Sequence, residues 1–224
     1  MLTQKTLDFL FENRLQNSKA WFEEHKSDYN NFVLAPLVEL TIALTPTMLS
    51  IDDAFNCEPK VNKCISRIYR DTRFSKDKSL YRDVMWIVFM REKKLYNGVP
   101  GFFFELSPEK FRYGCGYYGA DASSMEAIRT LILAGDKDFK NALAAAEKQT
   151  VFSMEGDMYK KSKYPDQPDS IKNWLDRKDI CFIANSTDAD LLFSDKLADR
   201  LAQDFKLLEP VYQFLMKAEI SKRR

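Results

Sequence analysis

With 224 residues, 45% of them hydrophobic and 30% charged, the chain has a globular composition and is not a disordered one. Its 34 Lys and Arg against 33 Asp and Glu give a formal net charge of +1, which argues against bulk electrostatic coating of DNA or membranes. The apolar runs fall short of the ~20 residues that cross a bilayer, and Lys5, Asp8, Glu12 and Arg14 interrupt any N-terminal signal segment.

Cys57, Cys64, Cys115 and Cys181 contain no C-x-x-C pair, and a chain of this size needs no disulfide staples. The expectation is a cytoplasmic protein with free thiols and no membrane partner. No repeat or flexible linker interrupts it, so one domain over 1–224 is expected.

Thr3 caps a first helix, with Leu7, Leu10, Phe11 and Leu15 as its apolar face. Asn17 and Ser18 restart the chain, and Trp21, Phe22, His25, Tyr29, Phe32 and Val33 carry a second helical stripe. Pro36 opens a third helix through Leu37, Leu40 and Leu44, ending near Pro46. Residues 83–90 (DVMWIVFM) are apolar almost throughout and read as a central strand buried on both faces. GFFFEL (101–106) and FRYGCGYY (111–118) flank Ser107-Pro108-Glu109-Lys110 as a hairpin.

Ser123 or Ser124 caps a helix through Met125, Ile128 and Ile132 that stops at Gly135; Asp136 starts another through Phe139, Leu143 and Ala146. A strand pair around Glu155-Gly156, a short helix at Ile171–Leu175 and a strand at Ile180–Ala184 follow. Ser194 caps a final amphipathic helix with Leu197, Leu201, Phe205 and Leu208, which Pro210 kinks or breaks. Terminal helices around clustered strands give an α+β class with an antiparallel sheet.

Several chemistries lack their residues. His25 is the only histidine, and its place on an aromatic stripe gives it a structural role. One histidine with four scattered cysteines makes no metal site, and there is no P-loop. Gly114, Gly116 and Gly119 fit G-x-G-x-x-G, but they follow a hairpin strand and no helix opens on them, so they read as close-packing glycines. No cofactor is expected.

What remains is RIYRDTRFSKDKSLYR, residues 67–82. Arg67, Arg70, Arg73, Lys76, Lys78 and Arg82 face only Asp71 and Asp77, a local surplus of four positive charges. A strand over 66–70 feeding a cationic loop at 75–80 can converge guanidinium forks, which bind phosphate or carboxylate bidentately. Phe74, Tyr69 and Tyr81 offer stacking faces. The competing reading is scaffold, with Asp71 and Asp77 pairing the arginines. A second basic stretch, Tyr159-Lys-Lys-Ser-Lys-Tyr-Pro165, reads as an anion surface or as an edge protected by lysines.

Arg70-Asp-Thr-Arg-Phe-Ser-Lys-Asp-Lys78 followed by Tyr81, with Asn17, Trp21-Phe22, Tyr29 and Pro36 upstream, resembles the hallmark of a bacterial and fungal family of conserved hypothetical proteins, domain of unknown function 2461. The sequence departs from that pattern at Gln16, at Leu80 where the family usually has proline, and at Arg82 where it usually has lysine. The resemblance implies a single α+β domain and draws attention to this motif; it implies no activity and no catalytic residue.

The sequence-level expectation is therefore binding of an anionic small ligand by Arg67, Arg70, Arg73, Lys76 and Lys78. Asp71 or Asp77 would orient the forks or act as base, Tyr81 would line the site, and Trp21 or Phe74 would form an apolar wall. The rivals are a nucleic-acid-binding module using the same segment and a non-catalytic scaffold.

Overall fold

The computed structural model describes residues 1–73, 75–91 and 98–222. The α+β class is what the structure shows. Helices α1 (Gln4–Gln16), α2 (Lys19–Glu24) and α3 (Lys26–Ile51) come first. Strands β1 (Met85–Phe89), β2 (Gly101–Leu106) and β3 (Phe111–Gly116) follow, then α4 (Ala122–Leu133) and α5 (Lys137–Lys148). The chain continues with β4 (Ser153–Glu155), α6 (Asp169–Leu175), β5 (Cys181–Ser186), α7 (Ala189–Leu192), α8 (Leu197–Leu207) and α9 (Glu209–Ser221). The strands form one antiparallel sheet in the order β1-β2-β3-β5-β4.

Where the sequence offers no linker, the chain nevertheless divides into two compact units. The first comprises Met1–Phe89, Phe103–Tyr113 and Asn185–Ala202; the second comprises Met90–Phe102, Gly114–Ala184 and Gln203–Arg224.

In the first unit, Thr3 and Thr6 close a reciprocal capping box at the start of α1. The buried face of α1 is Thr6, Phe9, Leu10 and Asn13, one residue round from the expected stripe, and Phe11 and Leu15 are 57% and 69% exposed. A polar requirement turns the helix. Pro36 has no amide proton, so Phe32 O loses its donor from four residues on. The Thr6 hydroxyl donates to that carbonyl at 2.6 Å.

Helix α3 contains a π-helical stretch at Tyr29–Leu34, just before Pro36. It runs through Pro46 to Ile51 instead of ending near Pro46. The carbonyl that Pro46 leaves without a donor belongs to Ile42, an exposed residue where water can reach it. At 26 residues α3 has the length and apolarity to cross a membrane, which the shorter apolar runs did not suggest. Its Tyr29, Val33, Leu37, Leu44 and Met48 are buried in the protein.

Strand β1 ends the sheet order and is not central. Met85, Ile87 and Phe89 are buried while Trp86 and Val88 are half-buried, and the Arg82 guanidinium stacks 4.4 Å from the Trp86 ring. The hairpin β2–β3 forms as expected, closed by Ser107 N donating to Lys110 O at 2.9 Å.

In the second unit, α9 packs on α5 and α4, around Phe139, Trp174 and Phe214 with ring centroids 5.3–6.0 Å apart. Each such side chain contributes ~2–3 kcal/mol by burial. Asp121, and not Ser123 or Ser124, caps α4. Asp136 caps α5, and Leu208 alone separates α8 from α9, with Pro210 in the first turn of α9. The strand expected near Glu155 pairs with β5, Ser153 opposite Ile183, rather than in a local hairpin. A Cβ on Gly114 would sit 1.9 Å from Phe182 O, and one on Gly116 would sit 2.4 Å from Ile180 O. Close backbone approach accounts for these glycines.

Candidate anion site at residues 67–82

The outer edge of β1 positions the motif. Ser66 N donates to Trp86 O at 2.9 Å and Val88 N to Cys64 O at 2.8 Å, and Ile65 bridges Ile87 antiparallel. The pairing resumes with Arg70 N to Leu80 O and Arg82 N to Ile68 O, both 2.9 Å, around the bridge Tyr69–Tyr81. Residues 64–70 and 80–88 thus run as an interrupted antiparallel ribbon, with 71–79 as its loop. Ser66 and Ile68 are buried and Arg67 is exposed, the alternation an extended segment imposes.

Aromatic packing anchors this ribbon. Tyr81 is fully buried, stacks on Phe22 at 5.0 Å and lies 5.1 Å from Tyr69. Burial pushes its phenol up to about 12. Tyr81 therefore supports the loop from below and does not line a ligand surface. Trp21 stacks on His25 at 4.1 Å and meets Phe9; its neighbour Phe22 is the ring that reaches Tyr69 and Tyr81. Phe74 lies outside the described residues.

Two aspartates organise the charges. Asp71 holds Arg73 through a fork, Nε to Oδ1 at 3.0 Å and Nη2 to Oδ2 at 2.7 Å, and also accepts Arg73 N at 3.2 Å. Arg67 Nη2 lies 3.7 Å from the same carboxylate, too far for a hydrogen bond. The Arg73 side chain, then its backbone amide, hold the Asp71 carboxyl well below the usual carboxylate range.

Asp77 accepts the Ser79 hydroxyl at 2.6 Å and Ser79 N at 2.9 Å, turning the loop. These hydrogen bonds, with the smaller pull of Arg70 and Arg14, lower its pKa. Its other oxygen meets Arg14 at 3.0 Å and Arg70 at 3.3 Å. Lys78 Nζ donates to Thr72 O at 2.8 Å. Lys76 is exposed and has no ion pair or hydrogen bond among the described residues.

The structure thus gathers Arg67 and Arg73 at Asp71 and Arg70 at Asp77, with Lys78 on Thr72, where the ribbon meets its loop. It adds two members that the motif itself did not reveal. Arg14 comes from the last turn of α1. Asn17, in the left-handed conformation (φ 45°) that ends α1, accepts Leu80 N through Oδ1 at 2.6 Å. Both lie 63 residues from their partners. A hint was available: Asn17 opens the family-like upstream pattern, and asparagine tolerates the left-handed region better than most residues.

The profile of the family described as "Conserved hypothetical protein (DUF2461)" matches residues 5–214. The chain belongs to this family. No curated protein matches it. In this DUF2461 member the departure at Leu80 has a structural consequence, because a proline there would have no amide to donate to Asn17.

Proposed function

We propose that this DUF2461 protein binds an anionic, phosphate-bearing small ligand on the cationic loop. The carrying observation is a shortage of carboxylates. Among the described residues, the ion pairs of Arg14, Arg67 and Arg70 go to Asp71 and Asp77 alone, Asp71 also holds Arg73, and Lys76 and Lys78 add two further positive charges. Among the described residues no hydrogen bond engages the Arg67 fork, and its side chain is 46% exposed. A phosphate would take Arg67 and Lys76, with Asp71 and Asp77 fixing the neighbouring forks. The free thiols of Cys57, Cys64 and Cys115 fit a reducing, cytoplasmic setting.

A thermal-shift series with phosphorylated metabolites, nucleotides and short oligonucleotides tests this. A ligand at about 100 times its Kd adds about 2.7 kcal/mol of stability. Arg67→Ala and Lys76→Ala should abolish the shift without lowering the unliganded melting temperature. Asp71→Asn should strengthen binding by releasing Arg73. A response confined to oligonucleotides, with steep salt dependence, would transfer the site to nucleic acid.

The second reading, a salt-bridged scaffold, draws support from the Asp71–Arg73 fork and from Asp77 joining Arg14 to Arg70. It predicts no shift with any anion, in the wild type or in Asp71→Asn.

A further inference from the structure

The second basic stretch surrounds a cavity that the loop at 67–82 does not use. Its volume is about 370 Å³, near the lower end of small-ligand pockets, and its polar wall is Glu126, Arg129, Tyr159, Lys163, Tyr164 and Lys178. Three cations gather on one ring. Lys163 Nζ lies 3.9 Å from the Tyr159 centroid, the Arg129 guanidinium 5.5 Å and Lys178 Nζ 5.7 Å.

The backbone holds this geometry. Residues 157–159 pair with 176–178, through Tyr159 N to Asp176 O at 2.9 Å and Lys178 N to Asp157 O at 2.7 Å. Arg129 reaches across from α4, only 5% exposed, donating from Nε to Leu175 O at 2.9 Å and from Nη2 to Arg177 O at 2.7 Å.

Carbonyl oxygens satisfy those nitrogens without neutralising the charge. Among the described residues the one ion pair of the remaining nitrogen, Nη1, is to Glu126 Oε2, at 3.7 Å and on a side chain 73% exposed. Neither Lys163 nor Lys178 has a carboxylate within ion-pair distance among the described residues. Three positive groups therefore have one distant ion-pair partner among the described residues, while Asp176 and Asp179 reach the wall through the backbone amides of Lys163 and Ala120, at 2.9 and 3.2 Å. A ring quadrupole offsets only part of that mutual repulsion. Ala120, Ala122 and Met125 supply an apolar floor.

We propose that this cavity binds a small phosphate monoester. Its near-dianionic head would sit among Arg129 Nη1, Lys163 and Lys178, and its organic part would lie on the apolar floor and the tyrosine rings. The proposal concerns different residues from the Arg67 cluster and does not depend on that reading.

Calorimetric titration of the full chain with phenyl phosphate, and with benzyl alcohol as the uncharged control, tests it. The wild type should bind phenyl phosphate, and Arg67→Ala should keep a site of the same affinity, with neither binding the alcohol. Lys163→Ala/Lys178→Ala, which leaves the buried Arg129 in place, should weaken binding at least about tenfold, or about 1.4 kcal/mol. Absence of saturable binding in the wild type overturns the proposal. So does a double variant that binds as well as wild type, or a loss seen only in Arg67→Ala, which would assign the ligand to the other loop.

Discussion

Asn17 joins the end of α1 to the cationic loop, and its two contributions can be separated by substitution. Asn17→Gly removes the 2.6 Å hydrogen bond from Leu80 N but keeps a residue at ease with φ 45°. Asn17→Ala removes the same bond and also forces an alanine into the left-handed region. The bond contributes ~1 kcal/mol, and the left-handed backbone adds ~1 kcal/mol for alanine. Asn17→Ala should therefore lose about 2 kcal/mol and Asn17→Gly about 1 kcal/mol. Asn17→Asp, which keeps an acceptor and a tolerated backbone, should stay nearest wild type. Urea unfolding followed by circular dichroism, with midpoints compared at constant slope, gives the three values. If alanine is no worse than glycine, the backbone reasoning fails. If all three match wild type, the bond to Leu80 holds nothing.

Other substitutions have equally definite outcomes. Gly114→Ala places a methyl 1.9 Å from Phe182 O, so it should cost more than ~3 kcal/mol or prevent soluble accumulation, while Gly119→Ala, with nothing within 4 Å, should be neutral in the same expression and melting assays. That contrast also separates close packing from a dinucleotide fingerprint, in which the third glycine matters. Toward acid, Asp71 and Asp77 have lowered folded-state pKa values, so their contribution is complete above the ordinary range near ~4 and is lost as pH falls through the lower folded values. Urea midpoints should be flat above about pH 5 and decline toward pH 2, less steeply in Asp77→Asn. Toward alkali, Tyr29 and Tyr81 are pushed up to about 12, both chiefly by burial. The unfolded chain ionises near ~10 while the fold keeps these protons, so stability should fall above that pH, and absorbance titration should show a late-ionising set of phenols.

The elements whose boundaries depend on local signals were legible: Asp136 capping α5, the break before Pro210 and the Ser107–Lys110 hairpin turn all read directly from short motifs. The misreadings share a different cause. Phe11 and Leu15 looked like core because their spacing is helical, but the buried face was set by Thr6 meeting Phe32 O, 26 residues away. Strand β1 looked central because it is apolar throughout, whereas it ends the strand order and its Trp86 is half-buried, with the Arg82 guanidinium over the ring. The charge of the candidate site was plain in its sixteen residues; the sharing of Asp77 with Arg14 and the Leu80 tie to Asn17 were not, because no local pattern encodes a partner 63 residues away.

The Thr6 hydroxyl has a consequence for how this sequence can change. It accepts Thr3 N at 3.1 Å while donating to Phe32 O, so its one proton and an acceptor site are committed together. Pro36, which has no amide, stands where an α-helical register would place the donor to that carbonyl. Positions 6 and 36 should therefore drift as a pair among relatives, a hydroxyl being dispensable wherever residue 36 regains an amide. A thermodynamic cycle would show it: Thr6→Val should cost ~2 kcal/mol alone and measurably less beside Pro36→Ala.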